Sequence, residues 1–449
     1  MYKFILPMRY LLKRRITFLA ITAIALCVFI VVVVMSVMSG LVGDFREKNH
    51  RYAGDCIVSS DSLVGFAYYE DFLNELDKAE FVKSYSPVIR GYGLLRQPNT
   101  ETNIGIEITG IDPFRHSQAT GFGDSLYYHR NNPGEAFKVY NKPDARGCVV
   151  GISRMHTSDA FNQYYHPDVP GHYDFEISCF PLNAKGALAK AGAGIVNTKL
   201  FSYSDDSHSG LVKIDENMIY LPFDDAQKLF EMGGATKRIS AIHIKFQDGV
   251  SLHRGTEEVA KMWQEHVEKN EDKSYSNLLQ LVSVENWMRY RASTIAPMEK
   301  EQTMLSILFF MLGIITVFVI FVVFYMIIGH KTRDIGILKS VGVSNYSVIG
   351  IFMIFAGIIG VIGAAIGAAG GCAFLLRINE MEDWLFENYK WQLWDRTVYA
   401  IGEIPHEIKI DVLAVIILSA IGASLLGALI PSVQAGIKKP AEVLQVSQV

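Results

Sequence analysis

No Gly-Lys dipeptide occurs anywhere in the 449 residues, so the phosphate-cradling loop GxxxxGK followed by Ser or Thr is absent. Any nucleotide chemistry of that kind must therefore be supplied from outside the chain. Cysteine is scarce and scattered. Cys27 and Cys372 lie in apolar runs, and Cys56, Cys148 and Cys179 can form at most one disulfide among themselves. There is no CxxC pair and no Cys/His spacing of the zinc-finger kind. Basic residues do not dominate: 42 Lys and Arg against 46 Asp and Glu leave a net charge of -4, which excludes the basic surface that nucleic acid requires. Charge is thin overall and vanishes from four long stretches.

Those stretches are residues 16–43, 302–330, 340–376 and 412–437, none of which contains Asp, Glu, Lys or Arg. Each is longer than the ~20 residues that a helix needs to cross a bilayer. A single Lys or Arg at a span centre would cost about 2.5–3.5 kcal/mol. The mean hydropathy of +0.20 is high for a soluble protein and low for one that is all membrane, so four spans and a sizeable polar domain are expected. The first run far exceeds the 7–15 apolar residues of a signal peptide and reads as an uncleaved anchor.

Orientation follows from the short flanks. Lys3, Arg9, Lys13, Arg14 and Arg15 precede span one; Lys331, Arg333 and Lys339 follow span two; Lys438 and Lys439 follow span four. The loop between spans three and four is acidic instead. Basic flanks stay in the cytoplasm, which places both termini inside and residues 44–301 outside.

The resulting domain plan is an interfacial amphipathic helix at 1–15, span one at 16–43, an external domain at 44–301 and span two at 302–330. A charged helix at 331–345, span three at 346–377, an external loop at 378–410, span four at 411–431 and a tail at 432–449 complete it. Within the external domain, helices are expected at 69–79, 223–232 and 250–270. Strands are expected at 55–60, 82–97, 104–111, 173–180, 194–203, 217–221, 240–246 and 278–284, with an irregular stretch at 112–147. A helix at 287–301 should run straight into span two, and this helix and the end of span one should project as stalks. The fold class is thus four transmembrane α-helices with a large α+β extracytoplasmic domain inserted between the first and second.

Two patterns in the membrane part bear on function. In the short segment after span two, Lys331, Arg333 and Lys339 supply charge, with Asp334 among them, while Ile335, Ile337 and Leu338 supply an apolar anchor. An apolar centre with a polar rim suits docking to a soluble partner. In spans three and four, Gly363, Gly367, Gly371 and Gly427 stand on small-residue faces that let backbones approach closely, which packing within the chain explains better than a dimer contact.

Catalytic signatures are missing. His116, His129, His156, His166 and His172 lack tight ligand spacing and suit a solvated loop, so no metal is expected. Glu407 after His406 is not followed by a zincin histidine, Gly151-Ile152-Ser153 lacks the closing glycine of a nucleophile elbow, and the Gly-Ala-Gly within 191–197 lacks the full dinucleotide fingerprint. No enzymatic activity and no cofactor on this chain are expected.

Three segments carry a family resemblance. KTRDIGILKSVGVSNYSVIGIFMIFAGIIGVIG resembles the loop helix and glycine-rich span of the MacB/FtsX-type ABC permeases; LIPSVQAGIKKPAEVLQ is similar to their C-terminal motif, and MRYLLKRR to their opening. Within that family, SVMSG with its preceding Met35, and ENWMRYRASTIAPMEKEQTML, look like the lipoprotein-releasing (Lol-type) permeases. The resemblance fades between about residues 112 and 240.

The resemblance implies a mechanotransmitting inner-membrane subunit, driven by ATP and Mg on two copies of a separate cytoplasmic ABC ATPase. It implies an identical or homologous second permease, a lipoprotein substrate drawn from membrane lipid, and a periplasmic carrier protein. Residues 332–340 map onto the family's coupling helix, which sets Lys331, Thr332, Arg333, Asp334, Ile335, Gly336, Ile337, Leu338, Lys339 and Gly342 as the ATPase-coupling set. The substrate cavity would be lined by Ile24, Val28, Val31, Met35 and Met38 of span one of one subunit and by Phe309, Leu312 and Val319 of span two of the other. The same scaffold could instead drive efflux of a small molecule or peptide, or control a cell-wall hydrolase. A non-transport membrane receptor is the third reading.

Overall fold

Where charge is absent the chain is long helix, and where it returns a sheet forms. The computed structural model describes residues 15–98, 101–189, 195–234, 236–392, 394, 396 and 401–438. The amphipathic segment expected before residue 15, the tail beyond Lys438 and part of the Gly-Ala-Gly segment lie outside the described residues. The chain divides into two units. One comprises Met1–Gly43, Pro297–Trp394 and Ile404–Val449, and the other Asp44–Ala296 with Asp395–Glu403.

Among the described residues, four helices, most of whose length lies in the first unit, are long and apolar enough to cross a membrane: Arg15–Ala53, Ala292–His330, Asn345–Leu375 and Ile410–Ile437. The run of valines from 31 to 34 would favour a strand in water. Without water to satisfy backbone groups, the helix is the form that closes its own hydrogen bonds. Small residues then fix the packing. A Cβ on Gly367 would lie 2.4 Å from the Ala25 carbonyl oxygen and 2.8 Å from Val28 Cβ. Gly363 and Gly371 meet Ile24 and Val32 in the same way, so the glycine stripe of span three lies on span one. Gly427 of span four is as close to span two, 2.6 Å from the Val317 carbonyl oxygen. Spans three and four join where Ser424 Oγ donates to the Ala356 carbonyl at 2.8 Å. The loop after span three contains a helix, Ile378–Tyr389, where the sequence suggested only loop.

The second unit is built on a nine-stranded mixed sheet. Its strands in chain order are β1 (Cys56–Ser60), β3 (Val82–Arg96), β4 (Ile104–Ile111), β5 (Gly147–Gly151), β6 (Asp174–Cys179), β7 (Asn197–Ser207), β8 (Met218–Pro222), β10 (Ala241–Phe246) and β11 (Val282–Asn286). β2 (Phe66–Ala67) and β9 (Arg238–Ile239) form a separate short pair. The order is β11-β1-β10-β3-β4-β8-β5-β7-β6, and β6 also pairs with the far end of β3, so six of the strands close into a ring. Gly93 sits at that closure, where a Cβ would lie 2.8 Å from the Ser178 carbonyl oxygen. Phe66 and Phe72 in the core meet Trp263 edge-on.

Several expectations need correction. The stretch 112–147 is not irregular throughout: Asp112 caps a helix, Pro113–Ala119, by accepting from Arg115 N at 2.9 Å, with Pro113 in the first turn where its missing N–H costs nothing. A short helix, Phe122–Ser125, follows. β10 alternates in sequence yet is buried on both faces. Helix Leu252–Lys269 covers one face, where Gly255 meets the Phe246 ring, and helix Pro113–Ala119 covers the other, where His116 meets His243. The strand expected at 278–284 begins only at Val282, because Ser276–Leu278 forms a 3-10 turn. The helix expected over 287–301 is broken at Arg291, between Trp287–Tyr290 and Ala292–His330. All five cysteines are free.

Candidate functional site

The segment after span two forms helix Thr332–Ser340. It ends because Gly342 takes φ +94, a left-handed conformation that suits glycine. Gly342 N then donates to the Lys339 carbonyl and Val343 N to the Leu338 carbonyl, a Schellman cap. Ser344 next caps span three, accepting from Ser347 N. The Gly-Val-Ser motif is therefore a device for ending one helix and starting the next within four residues.

The side chains of this helix divide by face. Ile335 and Gly336 are buried, Ile335 in the same apolar cluster as Ile327, Ile328, Val348 and Ala435. Thr332 Oγ1 donates back to span two at the Gly329 carbonyl. Lys331 pairs with Asp334 at 2.5 Å. Lys339 Nζ donates to the carbonyls of Gly436 and Lys438, at 2.7 and 2.6 Å, and so caps the end of span four, where cations are favoured. Leu338 is half-buried, while Arg333 and Ile337 point outward. The outward surface continues through Val341 and Tyr346, which are 80% and 87% exposed. Of the ten expected coupling residues, Ile335, Gly336 and Lys339 thus anchor the helix, Gly342 ends it, Lys331, Thr332, Asp334 and Leu338 are partly buried, and Arg333 and Ile337 form a presented face. Val341 and Tyr346 extend that face and were missed in the sequence, where nothing distinguishes an outward valine from a buried one.

An apolar cavity of about 650 Å³ opens among spans one, two and four. Ile24, Val28 and Val31 line it from span one and Phe309 from span two. Met35, Met38, Leu312 and Val319 are not on its lining. Ala420, Ala423 and Leu426 of span four form its third wall, so this cavity lies within one chain, whereas the expected one lies between span one of one subunit and span two of another. The hydroxyls at its edge are occupied, since Ser306, Thr316 and Ser419 each donate to a carbonyl of their own helix. The wall therefore offers mostly apolar contact, the weak Cys27 thiol apart, which suits hydrocarbon.

In the second unit the five histidines scatter by environment. His116 is buried against Ser86, His129 contacts Asp205 at 3.0 Å, and His172 is exposed. His156 and His166 converge on Asp206. Burial pushes the Asp206 carboxyl up to about 6 and lowers His166 below its ordinary value.

Comparison with known proteins gives a concordant result. Residues 306–440 match the family described as FtsX-like permease C-terminal. The lipoprotein-releasing system transmembrane protein LolC of Xylella fastidiosa strain Temecula1 is 24% identical over 247 residues, 55% of each chain, so this chain spans about half the length of that relative. LolC of Neisseria meningitidis serogroup B is 22% identical over 436 residues, 96% of this chain and 94% of that one. Among solved structures, the periplasmic region of MacB from Actinobacillus actinomycetemcomitans covers 54% of this chain and 93% of its own, with 13% identity and a TM-score of 0.32. The extracellular domain of the transporter YknZ from Gram-positive bacteria covers 47% and 94%, with 11% identity and a TM-score of 0.29. Scores that low carry no weight for the arrangement described above.

Proposed function

We propose that this chain, whose residues 306–440 match the FtsX-like permease C-terminal family and which is similar to LolC of Neisseria meningitidis, is a permease that couples a separate ATPase to the release of lipoproteins from a bacterial inner membrane. Both termini and helix Thr332–Ser340 lie in the cytoplasm, and the sheet-rich domain lies in the periplasm. Two ABC ATPase subunits, holding ATP and Mg, grip the coupling helices of this permease and of a second, identical or homologous one.

The observation that carries the reading is the division of labour on the coupling helix. Ile335 packs into the spans and Lys339 ties the helix to the end of span four, while Arg333, Ile337, Val341 and Tyr346 face outward. A helix fixed on one side, and presenting one arginine among apolar side chains on the other, moves with the spans when a partner pulls it. Helices Arg15–Ala53 and Ala292–His330 each have 39 residues, about 58 Å at 1.5 Å per residue. That is roughly twice the ~30 Å of hydrocarbon, which supports transmission beyond the bilayer. The cavity among spans one, two and four suits acyl chains, which are delivered to a periplasmic carrier when it closes. Extraction needs ATP because each buried CH₂ contributes about 0.8 kcal/mol, or about 11 kcal/mol for a chain of about 14 methylenes.

The test is purification from membranes in mild detergent, with identification of what copurifies, combined with depletion in cells. An ABC ATPase with bound lipoprotein, and lipoproteins accumulating in the inner membrane on depletion, are expected. Recovery of a cell-wall hydrolase or of small-molecule efflux activity in their place would overturn the lipoprotein reading, and absence of any ATPase would overturn the transporter.

A further inference from the structure

Strand β5 and strand β7 run parallel, with Val150 opposite Asp206 and Gly151 opposite Ser207. From Gly151 the chain makes one helical turn, Ile152–Met155, and delivers His156 beside the end of β7. It then folds back through a hairpin in which Ser158 bridges Tyr164. Asp159 shapes that hairpin by accepting from Phe161 N and Gln163 N, both at 2.9 Å, and Asn162 takes φ +59. The returning chain brings His166 alongside His156, their ring centroids 4.7 Å apart. Tyr127 stacks on the His166 ring at 3.6 Å and fixes its plane.

The result is a convergence of three ligating groups. His156 Nε2 lies 3.1 Å and His166 Nε2 3.2 Å from the same oxygen, Asp206 Oδ2. One ligand atom from each of the three residues lies within 4.8 Å of the others. Asp206 is 1% exposed and the His166 side chain 5%. Yet His166 Nε2 makes no hydrogen bond in spite of its approach to Oδ2, and Asp206 Oδ1 makes none of ordinary geometry, the Tyr203 hydroxyl beside the carboxylate being likewise without one. Buried polar atoms left without such bonds at one point are costly, about 1–3 kcal/mol each. A tetrahedral metal with bonds of about 2.0–2.1 Å places its ligand atoms about 3.4 Å apart, close to both observed separations. The neighbouring Asp205 holds the adjoining loop in place, accepting from Tyr128 N and His129 N at 2.9 and 2.8 Å.

We propose that His156, His166 and Asp206 bind one divalent cation of the zinc class through two neutral imidazoles and a carboxylate. This donor set, borderline nitrogen with one hard oxygen, selects zinc-like ions over magnesium or calcium. Three protein ligands leave a fourth position, and a pocket of about 430 Å³ lined by His166, Asp206, Tyr164 and His208 opens beside them to admit water to it. The ion pins the 157–165 hairpin to the end of β7. The site is independent of the coupling helix and of the identity of the transported substrate.

The experiment uses the full-length protein, purified in detergent, stripped with a chelator and titrated with Zn²⁺ against a chromophoric competitor; Co²⁺ serves as the spectroscopic probe. One Zn²⁺ per chain is expected, with a tetrahedral-type Co²⁺ spectrum. His166→Gln should weaken binding at least about tenfold and erase that spectrum, and the exposed His172→Gln should change neither. If Asp206→Asn fails to fold, His156→Gln supplies the second ligand variant. Absence of Zn²⁺ binding in the wild type would overturn the proposal, leaving a bare histidine–carboxylate cluster. Binding that survives both histidine substitutions unchanged would overturn it equally.

Discussion

Gly367→Ala is the sharpest probe of the membrane unit. Its new Cβ would stand 2.4 Å from the Ala25 carbonyl oxygen and 2.8 Å from Val28 Cβ. Neither neighbour is the flexible end of a side chain, so spans one and three must move apart along their shared seam. Overpacking of this kind costs about 1–3 kcal/mol, a factor of roughly 5 to 150 in the unfolding equilibrium at 1.4 kcal/mol per tenfold. Gly350, also in span three, has nothing within 4 Å of its would-be Cβ. Gly350→Ala should therefore be neutral, or stabilising by up to about 1 kcal/mol through helix propensity. Reversible unfolding in mixed micelles with rising SDS, followed by tryptophan fluorescence, measures both. Equal stabilities for the two variants would refute the reasoning that the glycine stripe is a backbone contact with span one.

Three further outcomes follow from the same structure. Arg333→Glu combined with Ile337→Asp should abolish permease-stimulated ATP hydrolysis, by at least about tenfold, without loss of stability, whereas Lys339→Glu should lower stability as well because it uncaps span four; ATPase assays paired with thermal melts separate them. Ala423→Trp, which fills the cavity, should block lipoprotein release in proteoliposomes while the protein still inserts and binds its ATPase. His243 is buried and held neutral, mainly by desolvation and next by Arg90, with its pKa pushed down to about 3. The unfolded chain takes up that proton below about 6.5, so the stability contributed is complete above that pH. It falls by about 1.4 kcal/mol per unit as pH drops from about 6.5 toward 3, and unfolding measured across that window should be flatter for His243→Gln.

What could be read from the sequence follows from the range of the forces involved. The spans were legible because the penalty for a charge in hydrocarbon leaves long charge-free runs, and strand Ile104–Ile111 because its turn residues bound it locally. Helix Pro113–Ala119 was also written locally, in Asp112 followed by Pro113, but a pair that opens a helix also opens a turn. The break at Arg291 was not legible, since it goes with a bond from Arg291 Nε to Asn49 Oδ1 across 242 positions. Lys339 reads as a surface cation, and its partner carbonyls lie 97 and 99 residues further on. The same distance hid His156, His166 and Asp206, whose spacing is set by the pairing of β5 with β7 and not by any motif. The wall that span four gives the cavity depends on helix packing that no single helix encodes.

An ATPase outside this chain is expected to grip helix Thr332–Ser340 and its exposed flank. Labelling of Val341→Cys with a membrane-impermeant maleimide reads that contact at its exposed edge. Reaction is expected in inside-out vesicles, none in right-side-out spheroplasts, and protection when the ATPase is added back. Labelling from the outer side, or labelling indifferent to the ATPase, would rule out that grip.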